Sequence, residues 1–157
     1  MKQLKLLRCV LFLSVLFAAL SPVTLFSQEL SLAQREVWKN VEKYWDLVMQ
    51  GDLEGYLSYF HSDFSGWQNQ EMLPDDKETR RKFETHDYLT TKVLMYDLKP
   101  ASIRIFSNFA IAHYCFTIVY KDSAGKERTS HGRWTDILMK QGEKWVLVGD
   151  HGGKTSD

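Results

Sequence analysis

This chain has little cysteine, and neither sign of charge is in excess. The 157 residues include only two cysteines, Cys9 and Cys115, and 20 basic residues balance 20 acidic ones. If the N-terminal segment that carries Cys9 is removed, Cys115 is left alone and no internal disulfide can form. The lack of a basic excess argues against a nucleic-acid partner, because such binding depends on neutralising phosphates. The hydrophobic core must therefore stabilise the fold.

The common cofactor and nucleophile motifs are missing as well. The chain has no glycine-rich phosphate loop and no GxSxG nucleophile elbow. Its five histidines show neither HxH nor HExxH spacing, and they lie at His61, His86, His113, His131 and His151. Metal ligands have to converge on one point, so the sequence predicts neither a metal nor a cofactor.

One apolar run stands at the N-terminus. Three basic residues precede the run Cys9–Leu20, and the small residue Ser27 suits a cleavage site before Gln28. The run matches the roughly 7–15 apolar residues of a secretory signal peptide and is shorter than the roughly 20 that span a membrane. We therefore expect residues 1–27 to direct export to the periplasm or out of the cell, which leaves residues 28–157 as one domain. An uncleaved N-terminal anchor is the alternative.

The next segment has the pattern of an amphipathic helix. Ser31 and Gln34 fit a capping box, and an apolar stripe that includes Val41 and Tyr44 continues up to Gly51. Glycine at this position suits a helix C-terminus. The stripe is wide enough to lie across a sheet.

Two further helices are expected. Asp52 would cap the second, whose apolar stripe ends at Phe60. The third would begin after Pro74, with Phe83 and Leu89 as its apolar anchors. Most of its charged side chains are expected to be exposed: Lys77, Glu78, Arg80, Arg81, Lys82 and Glu84.

After Lys92 the apolar period changes from 3.6 to 2, which is typical of strands. Five strands are predicted, with one break at Pro100. They are Val93–Leu98, Ala101–Phe106, Phe109–Lys121, Lys126–Lys140 and Glu143–His151. Both strands of the last hairpin are apolar on both faces, so each face must be covered. The order of elements predicts an α+β domain with segregated helices and an antiparallel sheet.

The capped first helix, the second-helix sequence GDLEGYLSYFHSDF and the terminal hairpin GRWTDILMKQGEKWVLVGDHGG resemble the nuclear transport factor 2-like superfamily. Within it, the chain is similar to the SnoaL-like and ketosteroid-isomerase-like small secreted proteins. The resemblance spans residues 30–153 and implies a cystatin-like, cone-shaped curved sheet wrapped around the long first helix. It also implies a pocket on the inner face and, often, a dimer through the outer face.

Alignment with the association domain of the calcium/calmodulin-dependent kinases, on Lys144 and Trp145, implies that Tyr114, Phe116 and Asp136 face the pocket. The opposite face of the same strands would be the outer face of the sheet and the candidate homodimer interface. Its residues would be His113, Cys115, Thr117, Arg133, Thr135 and Ile137.

The orientation of the last strand depends on the turn before it. A two-residue loop, Gln141-Gly142, would put His151 on the face of Asp136, whereas a three-residue loop, Gln141–Glu143, would put Asp150 there. The resemblance favours the longer loop, so Asp150 is the expected inward residue.

Asp136 and Asp150 are the predicted catalytic residues. Close carboxylates in an apolar pocket push their pKa values apart and could supply acid–base chemistry. The alternative is that one of them only accepts a structural hydrogen bond. The other expected pocket residues suit an apolar or aromatic small molecule: Tyr44, Trp67, Tyr114, Phe116, Trp134, Val148 and His151.

The predicted function is binding of such a molecule, with cofactor-independent isomerase, cyclase or dehydratase chemistry as an option. The chain departs from the ketosteroid isomerases, because no residue could be matched to their acidic base. A non-catalytic binding or association module that acts as a homodimer is the alternative from another class.

Overall fold

The structure is a computed structural model that describes residues 29–155. The predicted signal peptide therefore lies outside the described residues. The expected α+β cone is confirmed, and within these residues it has three helices and a six-stranded curved sheet. The nine elements between residues 29 and 155 are, in order, α1 (Leu32–Gln50), α2 (Leu53–Leu57), β1 (Phe60–Gln68), β2 (Asp75–Asp76), α3 (Lys77–Thr90), β3 (Lys92–Phe106), β4 (Phe109–Lys121), β5 (Glu127–Gln141) and β6 (Lys144–Lys154).

The strands lie in the order β2-β1-β6-β5-β4-β3. The pairs from β3 to β6 are antiparallel as expected, but β1 lies parallel to β6. The expectation of a wholly antiparallel sheet is therefore wrong at one strand pair. Phe60, expected as the last apolar residue of the second helix, is instead the first residue of this strand, which runs to Gln68.

The predicted start and end of α1 are confirmed. The Ser31 hydroxyl accepts a hydrogen bond from the Gln34 amide, and the Gln34 side chain accepts one from the Ser31 amide. Gly51 ends the helix in the left-handed conformation, with φ of 76°. The stripe of α1 that includes Val41 and Tyr44 is buried against the sheet.

The third helix packs differently from the expectation. Asp76 caps it by accepting from the Thr79 amide, but its expected anchors Phe83 and Leu89 are exposed. The buried residue of α3 is Arg80, which is 2% exposed. The error has a physical cause, because a charged residue normally lies in water unless it is paired.

The predicted break at Pro100 is also wrong. β3 runs through Pro100 to Phe106, with an irregular register between Pro100 and Ser102. This strand lies at the edge of the sheet, where proline can be tolerated because its missing N–H can face away from the neighbouring strand. None of the helices between residues 29 and 155 is both long and apolar enough to cross a membrane.

Candidate functional site

A cavity of about 720 Å³ lies between α1, α3 and the inner faces of β4, β5 and β6. Its walls are rich in aromatic side chains: Tyr44, Trp45, Tyr56, Tyr88, Tyr114, Phe116, Tyr120 and Trp134. Buried polar groups interrupt these walls at two places. One group centres on Asp136 and the other on Arg80.

The Asp136 carboxyl lies on the inner face of β5 and is only 2% exposed. The Tyr44 hydroxyl donates a hydrogen bond to its Oδ2 atom. Burial raises the pKa of Asp136 to about 7, and the hydroxyl groups of Tyr44 and Tyr114 oppose that rise by hydrogen bonding to the carboxylate. At neutral pH the neutral and ionised forms of Asp136 are therefore present in comparable amounts.

Tyr114 connects this carboxyl with α1. The Trp45 indole Nε1 donates to the Tyr114 hydroxyl at 3.0 Å, which leaves the hydroxyl proton free to point at another acceptor. Burial, followed by the nearby charge of Asp136, raises the pKa of Tyr114 well above its ordinary value. The tyrosine is thus a neutral hydrogen-bond donor at neutral pH.

The second polar group is an ion-pair network around Arg80. Its Nε and Nη2 atoms donate to the two oxygens of Asp75 at 2.6 and 3.2 Å, and Nη2 also donates to Asp150 Oδ1 at 3.1 Å. Burial acts to lower the Arg80 pKa, but the hydrogen bonds to Asp75 and the charge of Asp150 outweigh it, so the pKa is raised. The arginine stays charged and is shared between two carboxylates.

Asp150 is held more tightly than Asp136. Besides the Arg80 contact, its carboxylate accepts from the backbone N–H of Trp67. Burial raises the pKa of Asp150 to about 6, while the charge of Arg80 opposes this effect. Gly66 lies directly against the group, since a Cβ at this position would stand 2.2 Å from Asp150 Oδ1.

Helix α3 brings two further polar residues to the cavity. Burial raises the pKa of Glu84 to about 7, and Arg80 opposes the rise through its charge without donating a hydrogen bond to Glu84. In the described part of the chain, the buried Tyr88 hydroxyl has no hydrogen-bond partner. Both side chains line the cavity.

Six of the residues expected at the site line this cavity: Tyr44, Tyr114, Phe116, Trp134, Asp136 and Asp150. Asp136 and Asp150 are direct neighbours across β5 and β6, so both lie on the inner face. A catalytic role for the two carboxyls stays a prediction.

The other three expected pocket residues lie elsewhere. Trp67 and His151 are neighbours across β1 and β6 and are exposed. His151 lines a hollow of about 310 Å³ on the outer side of the sheet. Val148 is the additional residue of a β-bulge in β6, between Leu147 and Gly149, and does not line the cavity.

Both expected turns have the wrong residues, although the observed loop has two residues like the shorter alternative. The loop is Gly142-Glu143, because Gln141 pairs with Lys144. Gly142 has φ of 60°, which suits the first position of a II′ hairpin turn. That register alone would place Gly149 opposite Asp136, but the bulge at Val148 shifts the pairing by one residue. Asp150 consequently faces inward, while its neighbour His151 does not.

Sequence reasoning missed the contribution of Asp75 and of α3. Arg80, Glu84 and Tyr88 are spaced four residues apart and share one helix face. That spacing was the available signal, but a helix with so many charges has the pattern of a solvated surface element.

The outer face of the sheet has the expected residues. His113 and Thr135 are joined across β4 and β5 by a 2.9 Å hydrogen bond, and Cys115 and Arg133 are exposed beside them. Ile137 is 41% exposed on the same face. Near it lie further apolar side chains of the outer face: Phe106, Phe109, Ile111 and Met139.

The helix-filled, curved sheet with an inner cavity defines a nuclear transport factor 2-like domain. The model of the calcium/calmodulin-dependent protein kinase II association domain family matches residues 33–155, and the chain belongs to that family. No curated protein sequence matches the chain significantly.

Solved structures agree on the fold. A ketosteroid isomerase-like protein from Erwinia carotovora atroseptica superposes with a TM-score of 0.68 at 12% identity, covering 84% of this chain and 100% of that one. A candidate calcium/calmodulin-dependent protein kinase II association domain from Xanthomonas campestris gives 0.64 at 14% identity, covering 86% and 99%. A nuclear transport factor 2-like protein from Cytophaga hutchinsonii gives 0.66 at 14% identity, covering 78% and 98%. At these identities the likeness shows the fold alone.

Proposed function

We propose that this chain is an exported domain that binds a small molecule with an apolar or aromatic body in its cavity. The observation that carries the proposal is a buried carboxyl, Asp136, at the inner wall of a 720 Å³ cavity lined by aromatic rings. This volume lies within the roughly 300–1,000 Å³ of small-molecule sites. The aromatic walls supply apolar contact, and Asp136 supplies a polar group that orients the ligand.

The same carboxyl is suited to acid–base chemistry. A general base works best when its pKa is near the working pH, and the pKa of Asp136 is about 7. Tyr44 and Tyr114 are neutral donors beside it and could stabilise an oxygen that gains charge. Asp150 has a different role in this proposal, because its bond to Arg80 makes it a positioning residue. Such proton transfer requires no cofactor.

The test uses small molecules that remain bound during purification, extracted and identified by mass spectrometry. Ile118→Trp would place a large ring in the cavity, which Ile118 lines, and should abolish retention while the fold is kept. Asp136→Asn should weaken retention, whereas Asp63→Asn, at a carboxylate that is 88% exposed, should not. Equal retention by the Ile118→Trp variant and the native protein would refute binding in the cavity.

A second function, association, is favoured by the outer face of the sheet. The family to which the chain belongs is named for association domains, and the outer face exposes Ile137 among other apolar groups. We infer a homodimer through this face, since exposed apolar patches commonly mark protein interfaces. Light scattering should give twice the mass of one chain.

The dimer has its own matched pair of variants. Ile137→Asp should halve the mass measured by light scattering, because a buried unpaired carboxylate would be placed in the interface. Leu89→Asp is the control, as Leu89 is an exposed apolar residue of α3 outside the sheet. A monomer in the unchanged protein would rule out the dimer.

Export has a separate test, in which the chain produced with its first 27 residues should be recovered beginning at Gln28.

A further inference from the structure

The charges around the cavity do not balance in its interior. Four carboxyl residues line it, Glu84, Asp87, Asp136 and Asp150, together with three basic residues, Arg80, Lys92 and Lys154. Asp87 and the two lysines are exposed, and the lysines lie at the outer ends of β3 and β6. Inside the cavity Arg80 is the cation of the described residues, and its Nε and Nη2 atoms are already bonded to carboxylates.

The negative excess lies on two sides of the cavity. Arg80 is bonded through two nitrogens to Asp75, a carboxylate behind the cavity wall, and through one to Asp150. Asp136 on β5 and Glu84 on α3 have no hydrogen bond from that guanidinium. Three acids other than Asp75 thus share what remains of one positive charge.

The aromatic walls have the same electrostatic preference. The faces of aromatic rings carry negative potential, and they attract cations within about 6 Å of the ring centre. Trp45 lies at the middle of one such wall, with the ring centres of Phe116 at 6.0 Å and Tyr114 at 6.4 Å. Trp134 lies on β5 as the direct neighbour of Tyr114 on β4, and its ring centre is already 6.0 Å from the Arg80 guanidinium carbon.

One polar atom of the wall is unused. The Tyr88 hydroxyl is buried and lacks a hydrogen-bond partner among residues 29–155. It lies one helical turn beyond Glu84 on the cavity face of α3. A hydroxyl oxygen next to a carboxylate is a suitable acceptor pair for an ammonium group.

We infer that the ligand of this cavity is an organic cation, in which an aromatic or apolar body carries a protonated amine. The inference rests on the proposed small-molecule function and specifies its ligand class. An ammonium would supply the positive charge that the interior lacks, and its body would pack on the aromatic walls. An anion would instead add to a negative cavity, and a neutral ligand would leave the imbalance as it is.

Binding of the cation should shift the cavity carboxyls toward their ionised forms. Glu84 faces Arg80, Asp87, Asp150 and Asp75, and its pKa is raised to about 7 mainly by burial. A bound cation favours ionised carboxyls, so affinity for the ammonium should rise between pH 5.5 and pH 8. A neutral probe should show a much smaller pH effect.

Three probes that differ only in the head group separate the possibilities: benzylammonium, benzyl alcohol and benzoate. Binding to the purified protein is followed by the fluorescence of Trp45 and Trp134, which line the cavity, and by calorimetry at pH 8. Benzylammonium should bind about tenfold more tightly than benzyl alcohol, because a desolvated cation gains from both the rings and the carboxylates. Benzoate should bind most weakly.

A pair of variants on α3 tests the origin of this preference. Glu84→Gln should reduce the ratio of the affinities for benzylammonium and benzyl alcohol severalfold. Glu78→Gln is the control on the same helix, as its side chain is 73% exposed. A preserved ratio in Glu84→Gln would overturn the role of α3.

The outcomes distinguish this inference from the proposed function. Equal or tighter binding of benzyl alcohol or benzoate would overturn the cation inference and leave cavity binding intact. If none of the three probes binds at millimolar concentration and no small molecule is retained in purification, the proposed function fails together with the inference.

Discussion

Replacement of Asp136 by asparagine tests the electrostatic state of the cavity wall. Asparagine keeps the size of the side chain and an oxygen that can accept the Tyr44 hydrogen bond, but it cannot ionise. Burial raises the pKa of Asp136 from an ordinary 3.8 to about 7, so the native protein holds this proton more tightly than the unfolded chain does. The resulting stabilisation is complete below pH 3.8 and is lost as the pH rises through 7.

The size of the effect follows from these two pKa values. Between pH 5 and pH 8 the wild-type protein should lose about 2.6 kcal/mol of stability through Asp136, since one pKa unit corresponds to about 1.36 kcal/mol. The asparagine variant cannot lose this contribution. Urea denaturation gives the free energy of unfolding of both proteins at pH 5 and at pH 8. The loss between the two pH values should be about 2.6 kcal/mol larger in the wild-type protein than in the variant. Glu84 and Asp150 also titrate in this range, but their contributions largely cancel because both proteins retain them.

An exposed position supplies the control for this measurement. Asp63→Asn removes a carboxylate that is 88% exposed, and its pH profile should match that of the wild-type protein. Parallel profiles for wild-type and Asp136→Asn would show that the native carboxyl titrates like that of the unfolded chain. The account of its burial would then be wrong.

Three other substitutions probe the supports of the site. Arg80→Met should lower the free energy of unfolding in urea by about 3–5 kcal/mol, because Asp75 and Asp150 would lose their cation; no loss would refute the network's importance. Gly66→Ala should cost at least about 1–3 kcal/mol in thermal unfolding, because a Cβ would stand 2.2 Å from Asp150 Oδ1; an unchanged midpoint would contradict this close packing. Ser31→Ala should cost about 1 kcal/mol and speed amide exchange in the first turn of α1, which unchanged exchange would disprove.

The first helix could be predicted in detail because its signals are local. The capping box joins Ser31 and Gln34 within one turn, and Gly51 ends the helix through its own backbone conformation. Tyr44 belongs to a stripe that has to be buried wherever the helix packs. In β4, alternation correctly placed Tyr114 and Phe116 on one face, and the family resemblance indicated that this face is the inner one.

The packing of α3 could not be predicted in this way. Arg80 is buried because Asp75 and Asp150 neutralise it, and Asp150 lies 70 residues away in sequence. Without these partners the helix has an exposed polar pattern, and Phe83 and Leu89 are its apparent anchors. A buried ion pair is a property of the tertiary structure, so no single-helix pattern reports it.

The terminal hairpin shows a different limit. Sequence alternation fixes the face of a strand only while the register is regular, and a bulge reverses the assignment beyond it. Both strands are apolar on both faces, so no change in the pattern of polar and apolar residues marks the register shift between Ile137 and Leu138. Asp150 faces inward as expected, but the cause is different. The expectation relied on a three-residue loop, whereas in the structure the bulge at Val148 shifts the strand register.

The two inner carboxyls differ in what compensates their burial. Asp150 is neutralised by Arg80, so an ionised acid at that position is part of a stable network. Asp136 has hydrogen bonds to the hydroxyl groups of Tyr44 and Tyr114, and Arg80 acts on it only through its charge. The two hydroxyl groups could bond an asparagine oxygen without the free-energy cost of a buried charge. A group whose only task was to accept these hydrogen bonds would not need to ionise near pH 7. This difference supports the proposal that the carboxyl at residue 136 binds a ligand or exchanges a proton in the cavity.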